Sequence, residues 1–204
     1  MIKYWDYLRE YKDLKREIIN SVNKVFESGT LLFGRELKKF EKNFCKFNNS
    51  KYGLGVGSGT DALFIALKVL DIGVGDEVIT VSNTAIPTVA AIKNTGAEVR
   101  FVDIGKDFLI NVKKIKHAIS SKTKAIIPVH LFGQTCDMNE ILSISKKYNL
   151  KIIEDCAQAC GALYKGRKAG SMGDIGCYSF YPTKILGAYG DGGFLTTNNK
   201  RLYE

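Results

Sequence analysis

Residues 51–70 read KYGLGVGSGTDALFIALKVL, and the fold turns on how this stretch divides. It reads as a short strand, a glycine-rich turn and a buried helix beginning near Thr60. The same alternation continues downstream. EVITVS is strand-like, and TVAAIKNTG is helical with a stop at Gly96. EVRFVD is a strand and VKKIKHAIS a helix; KAIIPVHLF is a strand, and DMNEILSISKKYN is a helix with Asp137 as its N-cap. KIIED, GCYSFY and GGFLTT are further strands, the last reaching nearly to Tyr203-Glu204, where another helix has room to begin. Strands alternating with helices of about 10–15 residues predict βαβ units and a mostly parallel sheet, the α/β class.

Ahead of this pattern lie two amphipathic helices. Leu14, Ile18, Val22 and Phe26 share one face over residues 11–27, and Leu37, Phe40, Phe44 and Phe47 are expected to point inward over residues 35–47. No linker of low complexity and no repeat of fixed period interrupts the chain.

The 204 residues suffice for one sizeable core, and 45% hydrophobic with 25% charged residues is ordinary for a globular protein in water. No run of about 18 apolar residues is present, which speaks against a membrane span. The charged N-terminus lacks the apolar block of a signal peptide, so a cytoplasmic protein is expected. The net charge of +9 is spread over scattered lysines rather than a basic block with aromatics, which argues against nucleic-acid binding. Five cysteines at irregular spacing do not form a disulfide framework. Cys156 and Cys160 make a C-x-x-x-C without a second pair, so free thiols are expected rather than zinc ligands.

Three stretches carry chemistry. In GVGSGTDAL (55–63) a glycine turn feeds a helix, gathering free N–H groups and the positive dipole end at one point. Ser58 and Thr60 add hydroxyls, so the turn suits a phosphate, or Thr60 or Asp61 simply caps the helix. In IIEDCAQACGA (152–162), Glu154 and Asp155 sit at the carboxyl edge of a strand, where open α/β sheets bind ligands. An acid there could hold a metal, a ribose or a protonated ring nitrogen, or cap a helix; Gln158 follows three residues on. In SFYPTKILGAYGDGG (179–193), Lys184 lies among aromatic and small residues, and glycines at 187, 190, 192 and 193 let the backbone come close to something. A lysine kept from water has a more accessible neutral amine, the form that makes Schiff bases. A phosphate cradle, a strand-end carboxylate and such a lysine together are what pyridoxal 5′-phosphate requires.

The order VGSGTDAL, SNTAIPTVAAI, PVHLFGQTCDM, EDCAQACGA, SFYPTKILGAYGDGG resembles the DegT/DnrJ/EryC1/StrS family of nucleotide-sugar aminotransferases, from about residue 5 to the end. The resemblance implies the large domain of a fold-type I pyridoxal phosphate enzyme over residues 1–204: a three-layer α/β/α unit with one antiparallel strand, without the C-terminal subdomain that members carry. It implies Lys184 as the Schiff-base lysine and Asp155 as partner of the pyridinium nitrogen. Gln158 would lie near the phenolic oxygen, and Gly59, Thr60, Ser179 and Ser58 would hold the phosphate. An aromatic residue that many members place over the ring is replaced by Ala85, leaving Ile86 or another residue to supply that face. The implied reaction is amination of a dTDP-linked 3-keto-6-deoxyhexose with L-glutamate as donor, in a homodimer. A remnant or non-catalytic partner of a longer paralogue is the alternative. His117 is expected to be exposed on its lysine-rich helix, and His130 to pack structurally.

Overall fold

The computed structural model describes residues 6–204. These fall into two compact units, one ending at Asn43 and one running from Phe44 to Glu204. Helix α1 spans Tyr7–Glu27, and α2 spans Arg35–Asn48. Both form where the periodicity puts them, but the apolar stripes are not covered as expected. No described residue of α1 is buried, and in α2 only Phe44 and Asn48 are. Phe26, Phe40 and Phe47 stay exposed. Periodicity tells which side chains share a face; it carries no information about what covers that face.

The second unit begins with β1 (Tyr52–Val56) and α3 (Gly59–Val69), followed by β2 (Glu77–Thr80), α4 (Ile86–Asn94), β3 (Glu98–Phe101), α5 (Val112–Ala118) and β4 (Thr123–Ile126). Next come a 3-10 turn at Leu131–Gly133, α6 (Met138–Tyr148) and β5 (Lys151–Asp155). A small hairpin, β6 (Leu163–Tyr164) and β7 (Arg167–Lys168), precedes β8 (Ile175–Ser179), β9 (Gly193–Thr197) and the short α7 (Lys200–Tyr203). The hairpin escapes sequence reading because each strand has only two residues, too few for an alternation to show. Asp137 caps α6 as expected, accepting the Glu140 N–H at 3.3 Å.

Seven strands form one sheet in the order β1-β9-β8-β5-β4-β2-β3. Every neighbouring pair is parallel except the two that involve β9, so β9 is the single antiparallel strand. The inner strands carry apolar residues on both faces, as strands covered twice must. Val78, Ala125, Ile127 and Ile153 pack with Ala62, Leu63, Ala66 and Leu67 of α3 and Ala91 and Ile92 of α4. Ile79, Ile126 and Ile152 face the other way, against Ile115 of α5 and Met138, Ile141 and Ile144 of α6. This is the three-layer α/β/α arrangement. Its consequence for function is positional: β1, β2, β5 and β8 end, and the reversed β9 begins, at the same sheet edge. Among the described residues no helix is long and apolar enough to cross a membrane.

Candidate active site

A cleft of about 230 Å³ opens at that edge. Its walls come from the α3 N-terminus (Ser58, Gly59, Thr60), the start of α4 (Ala85, Pro87, Thr88), Asp155, Ser179 and the loop bearing Lys184 and Asp191. Six of the seven residues singled out from sequence thus meet around one space, from positions over 120 residues apart in the chain.

The α3 end is built for an anion. Ser58 is the N-cap: its Oγ accepts the Asp61 N–H at 3.1 Å and donates to Asp61 Oδ2 at 2.9 Å. Capping by Thr60 or Asp61, which the sequence left open, gives way to capping by Ser58. The N–H groups of Gly59 and Thr60 precede the first helical acceptor and point outward with the dipole. Two glycines bring the walls together. A Cβ on Gly59 would lie 2.7 Å from Ser179 Cβ, and one on Gly193 would run into the Ser58 carbonyl. The α3 end therefore sits directly against β8 and β9. Ser179 Oγ accepts the Tyr181 N–H at 3.3 Å, which leaves its hydroxyl proton to donate into the cleft.

Asp155 ends β5 and is 4% exposed. Its Oδ1 accepts the Ala157 N–H at 3.1 Å, and its Oδ2 accepts the Thr88 hydroxyl at 2.8 Å. Burial pushes its carboxyl above the usual carboxylate range, against the Thr88 hydroxyl, the Ala157 N–H and the Lys184 charge. Such a group is suited to a cationic partner, which would restore the ionised form.

Lys184 is half-buried rather than sealed from water. Its N–H bonds to Tyr181 O at 2.8 Å, and Phe180 N–H to Gly192 O, also 2.8 Å, closes the base of the loop. Gln158 lies outside the cleft lining; its amide oxygen accepts the Phe132 N–H at 3.2 Å. Ile86 is 82% exposed and absent from the walls, so it offers no face to a ring there. Pro87 and Tyr181 line the cleft instead. Thr88 is the residue that sequence reading missed. A threonine in the first turn of a helix carries no signal that its hydroxyl meets a carboxylate 67 residues away.

Glu154, beside Asp155, points to the opposite side of the strand and is fully buried. It accepts the N–H groups of Gly170 (2.9 Å), Met172 (2.7 Å) and Gly173 (2.6 Å), and meets His130 Nε2 at 2.9 Å. Cys136 N–H donates to His130 Nδ1 at 3.1 Å, which leaves Nε2 as the nitrogen that donates to Glu154. His130 is thus a packing residue, and His117 is exposed, both as expected. Cys156 approaches this pair closely enough for a shared metal, but the carboxylate's lone pairs are already taken by four donors. All five cysteines are free. Burial works against ionisation of Glu154, yet the His130 and backbone donors hold its carboxyl below the ordinary value. A depressed folded-state value stabilises the fold above the unfolded carboxyl's pKa, and that stability is lost as pH falls through the folded value. Glu154→Gln turns an NH₂ toward N–H donors and is expected to cost about 3 kcal/mol in urea unfolding at neutral pH. The difference from wild type should shrink in acid.

The model of the DegT/DnrJ/EryC1/StrS aminotransferase family matches residues 12–204. The chain belongs to this family. It is 46% identical over 196 residues to the dTDP-3-amino-3,4,6-trideoxy-alpha-D-glucose transaminase of Micromonospora megalomicea subsp. nigra, covering 96% of this chain and 52% of that protein. Among solved structures, S. venezuelae DesV in complex with a ketimine intermediate superposes with a TM-score of 0.95 at 38% identity, over 98% of this chain and 54% of that one. The ntda protein of Bacillus subtilis with bound cofactor PMP gives 0.88 at 37% identity, over 94% and 43%. The chain spans about half the length of the relatives it matches. For a DegT/DnrJ/EryC1/StrS family member the cleft has the donor set a phosphopyridine aldehyde needs. Helix N–H groups and Ser179 suit the phosphate, Asp155 a protonated ring nitrogen, and Lys184 the aldehyde.

Proposed function

We infer that this chain carries the cofactor-binding part of a pyridoxal phosphate-dependent aminotransferase acting on a nucleotide-linked keto-6-deoxyhexose. The observation that carries this reading is the convergence of the α3 end, Asp155, Ser179 and Lys184 on one cleft. The dTDP-linked amino sugar in the name of the Micromonospora relative supports the substrate class; the proposed acceptor is a dTDP-linked 3-keto sugar and the proposed donor L-glutamate. The second subunit of a homodimer belongs to the same reading.

When bound, pyridoxal phosphate supplies an aldehyde for amine exchange and a cationic ring that takes up the electron pair released at carbon. Gly59, Thr60 and Ser179 anchor the phosphate. Asp155 would keep the proton on the ring nitrogen, because a cationic ring beside it would offset the cost of burying its carboxylate. Lys184 would hold the aldehyde through its amine, and the same amine, when free, would move a proton. The net exchange gives 2-oxoglutarate from glutamate and an amino group in place of the sugar's keto oxygen.

The test is to add pyridoxal phosphate to the purified chain, reduce with borohydride and map the adduct by mass spectrometry, then to add glutamate and follow conversion to the pyridoxamine form. An adduct on Lys184 and glutamate-driven conversion are expected. A folded chain that forms no adduct overturns the reading in favour of a non-catalytic remnant or partner.

A further inference from the structure

Behind Asp155 the structure holds a short chain of hydroxyls that the functional reading does not use. Thr88 sits in the first turn of α4 and is 1% exposed. Its Oγ1 lies 2.8 Å from Asp155 Oδ2 and 2.8 Å from Thr84 Oγ1. A hydroxyl has one proton to give, and an ionised carboxylate can only accept. With Asp155 charged, the direction is therefore fixed: Thr84 donates to Thr88, and Thr88 donates to Asp155. With Asp155 protonated, the chain can run the other way, from the carboxyl to Thr88 and on to Thr84. Thr84 and Thr88 lie on either side of Ala85 and Pro87, which line the cleft, so this segment forms one cleft wall and also touches the buried carboxylate.

We propose that Thr88, backed by Thr84, is a positioning residue that holds Asp155 in its ionised form and aims its charge at the cofactor's ring nitrogen. This rests on the cofactor site proposed above. Ala157 N–H fixes Oδ1 from the strand side and Thr88 fixes Oδ2 from the helix side. Two donors from different elements hold the carboxylate plane, which burial alone would leave unopposed in favouring the neutral acid. The other titratable groups facing Asp155 are His130, Lys184, Cys156 and Cys177. None of them is bonded to Oδ2, so the Thr88 hydroxyl has no substitute there.

The experiment measures binding of 4′-deoxypyridoxine 5′-phosphate across pH by calorimetry. This probe has the ring and phosphate but no aldehyde, so Lys184 cannot capture it. Affinity should fall on the acid side as Asp155 takes up a proton and its charge no longer attracts the cationic ring's N–H. In Thr88→Val the carboxyl protonates more readily, so this acid limb moves up by about one pH unit. The two profiles should converge on its alkaline side. The probe's phosphate titrates identically in both proteins and cancels from the comparison. Thr88→Ser restores the wild-type limb. A wall that was merely loosened would weaken binding equally at every pH, so parallel profiles or an unmoved limb overturn the proposal. If Thr88→Val does not fold by circular dichroism, Thr84→Val at the half-buried end carries the test. It should move the limb in the same direction by less, and an unmoved limb again counts against the relay. Wild type that does not bind the probe at all would instead defeat the cofactor site itself.

Discussion

On the proposed function, Lys184→Ala is expected to lose covalent capture of pyridoxal phosphate completely and to lower amine transfer by about 10⁴-fold. The lysine is assigned two tasks, attachment through its amine and proton transfer, and alanine can do neither. Lys184→Arg should fail as badly, since a guanidinium stays protonated and cannot attack an aldehyde. Reversible binding of the cofactor should survive, because the α3 N–H groups, Ser179 and Asp155 are separate contacts built on other elements. Borohydride reduction followed by peptide mapping reads the first effect, and equilibrium dialysis the second. An adduct that persists on another lysine of the alanine variant removes Lys184 from its assigned role. The sequence offers many competitors, so this outcome has real scope: 24 lysines, Lys184 among them, are spread along the chain. Lys184 is distinguished by its place in the cleft.

The sheet was readable from sequence because each strand is a short apolar run closed by a turn signal, and each helix shows its own period. The cleft was readable for a different reason. Gly59, Asp155 and Ser179 stand at element ends and Lys184 follows on the loop after Ser179; in a parallel sheet the strand ends share an edge, so placing the elements places the residues. Side-chain pairing across the sheet was not legible. Thr88 meets Asp155 only because β2 and β5 flank β4, a strand order that no local pattern encodes. Gln158 shows the converse. Its spacing from Asp155 suggested a common ligand, but the chain leaves the strand after Asp155 and takes the amide to the Phe132 backbone. The apolar stripe of α1 marks a further boundary: the helix was predictable, while the extent of its burial was not.

Asp155→Asn should have opposite effects on the chain with and without cofactor. Burial raises the Asp155 carboxyl above its unfolded value, so the ionised form is penalised in the fold. For a carboxyl raised in this way, stability falls as pH rises through the unfolded and then the folded value. At neutral pH an asparagine carries no such penalty. It also keeps the hydrogen bonds: its oxygen can accept from Ala157, and its NH₂ can donate to Thr88, whose hydroxyl then turns to Thr84. The cofactor-free variant is therefore expected to be more stable than wild type at neutral pH, with the gap closing in mild acid. Once pyridoxal phosphate is added the order should reverse. Wild type gains a cation beside its carboxylate, and binding stabilises the folded state by mass action, whereas the amide offers no charge to the ring nitrogen. Loss of one partner of a buried ion pair predicts turnover lower by about 10³-fold. Urea melts at neutral and mildly acidic pH, each with and without cofactor, decide the matter. A cofactor-free Asp155→Asn chain less stable than wild type at neutral pH would show that the carboxylate is already at ease in the empty cleft, and so does not depend on the cofactor's charge.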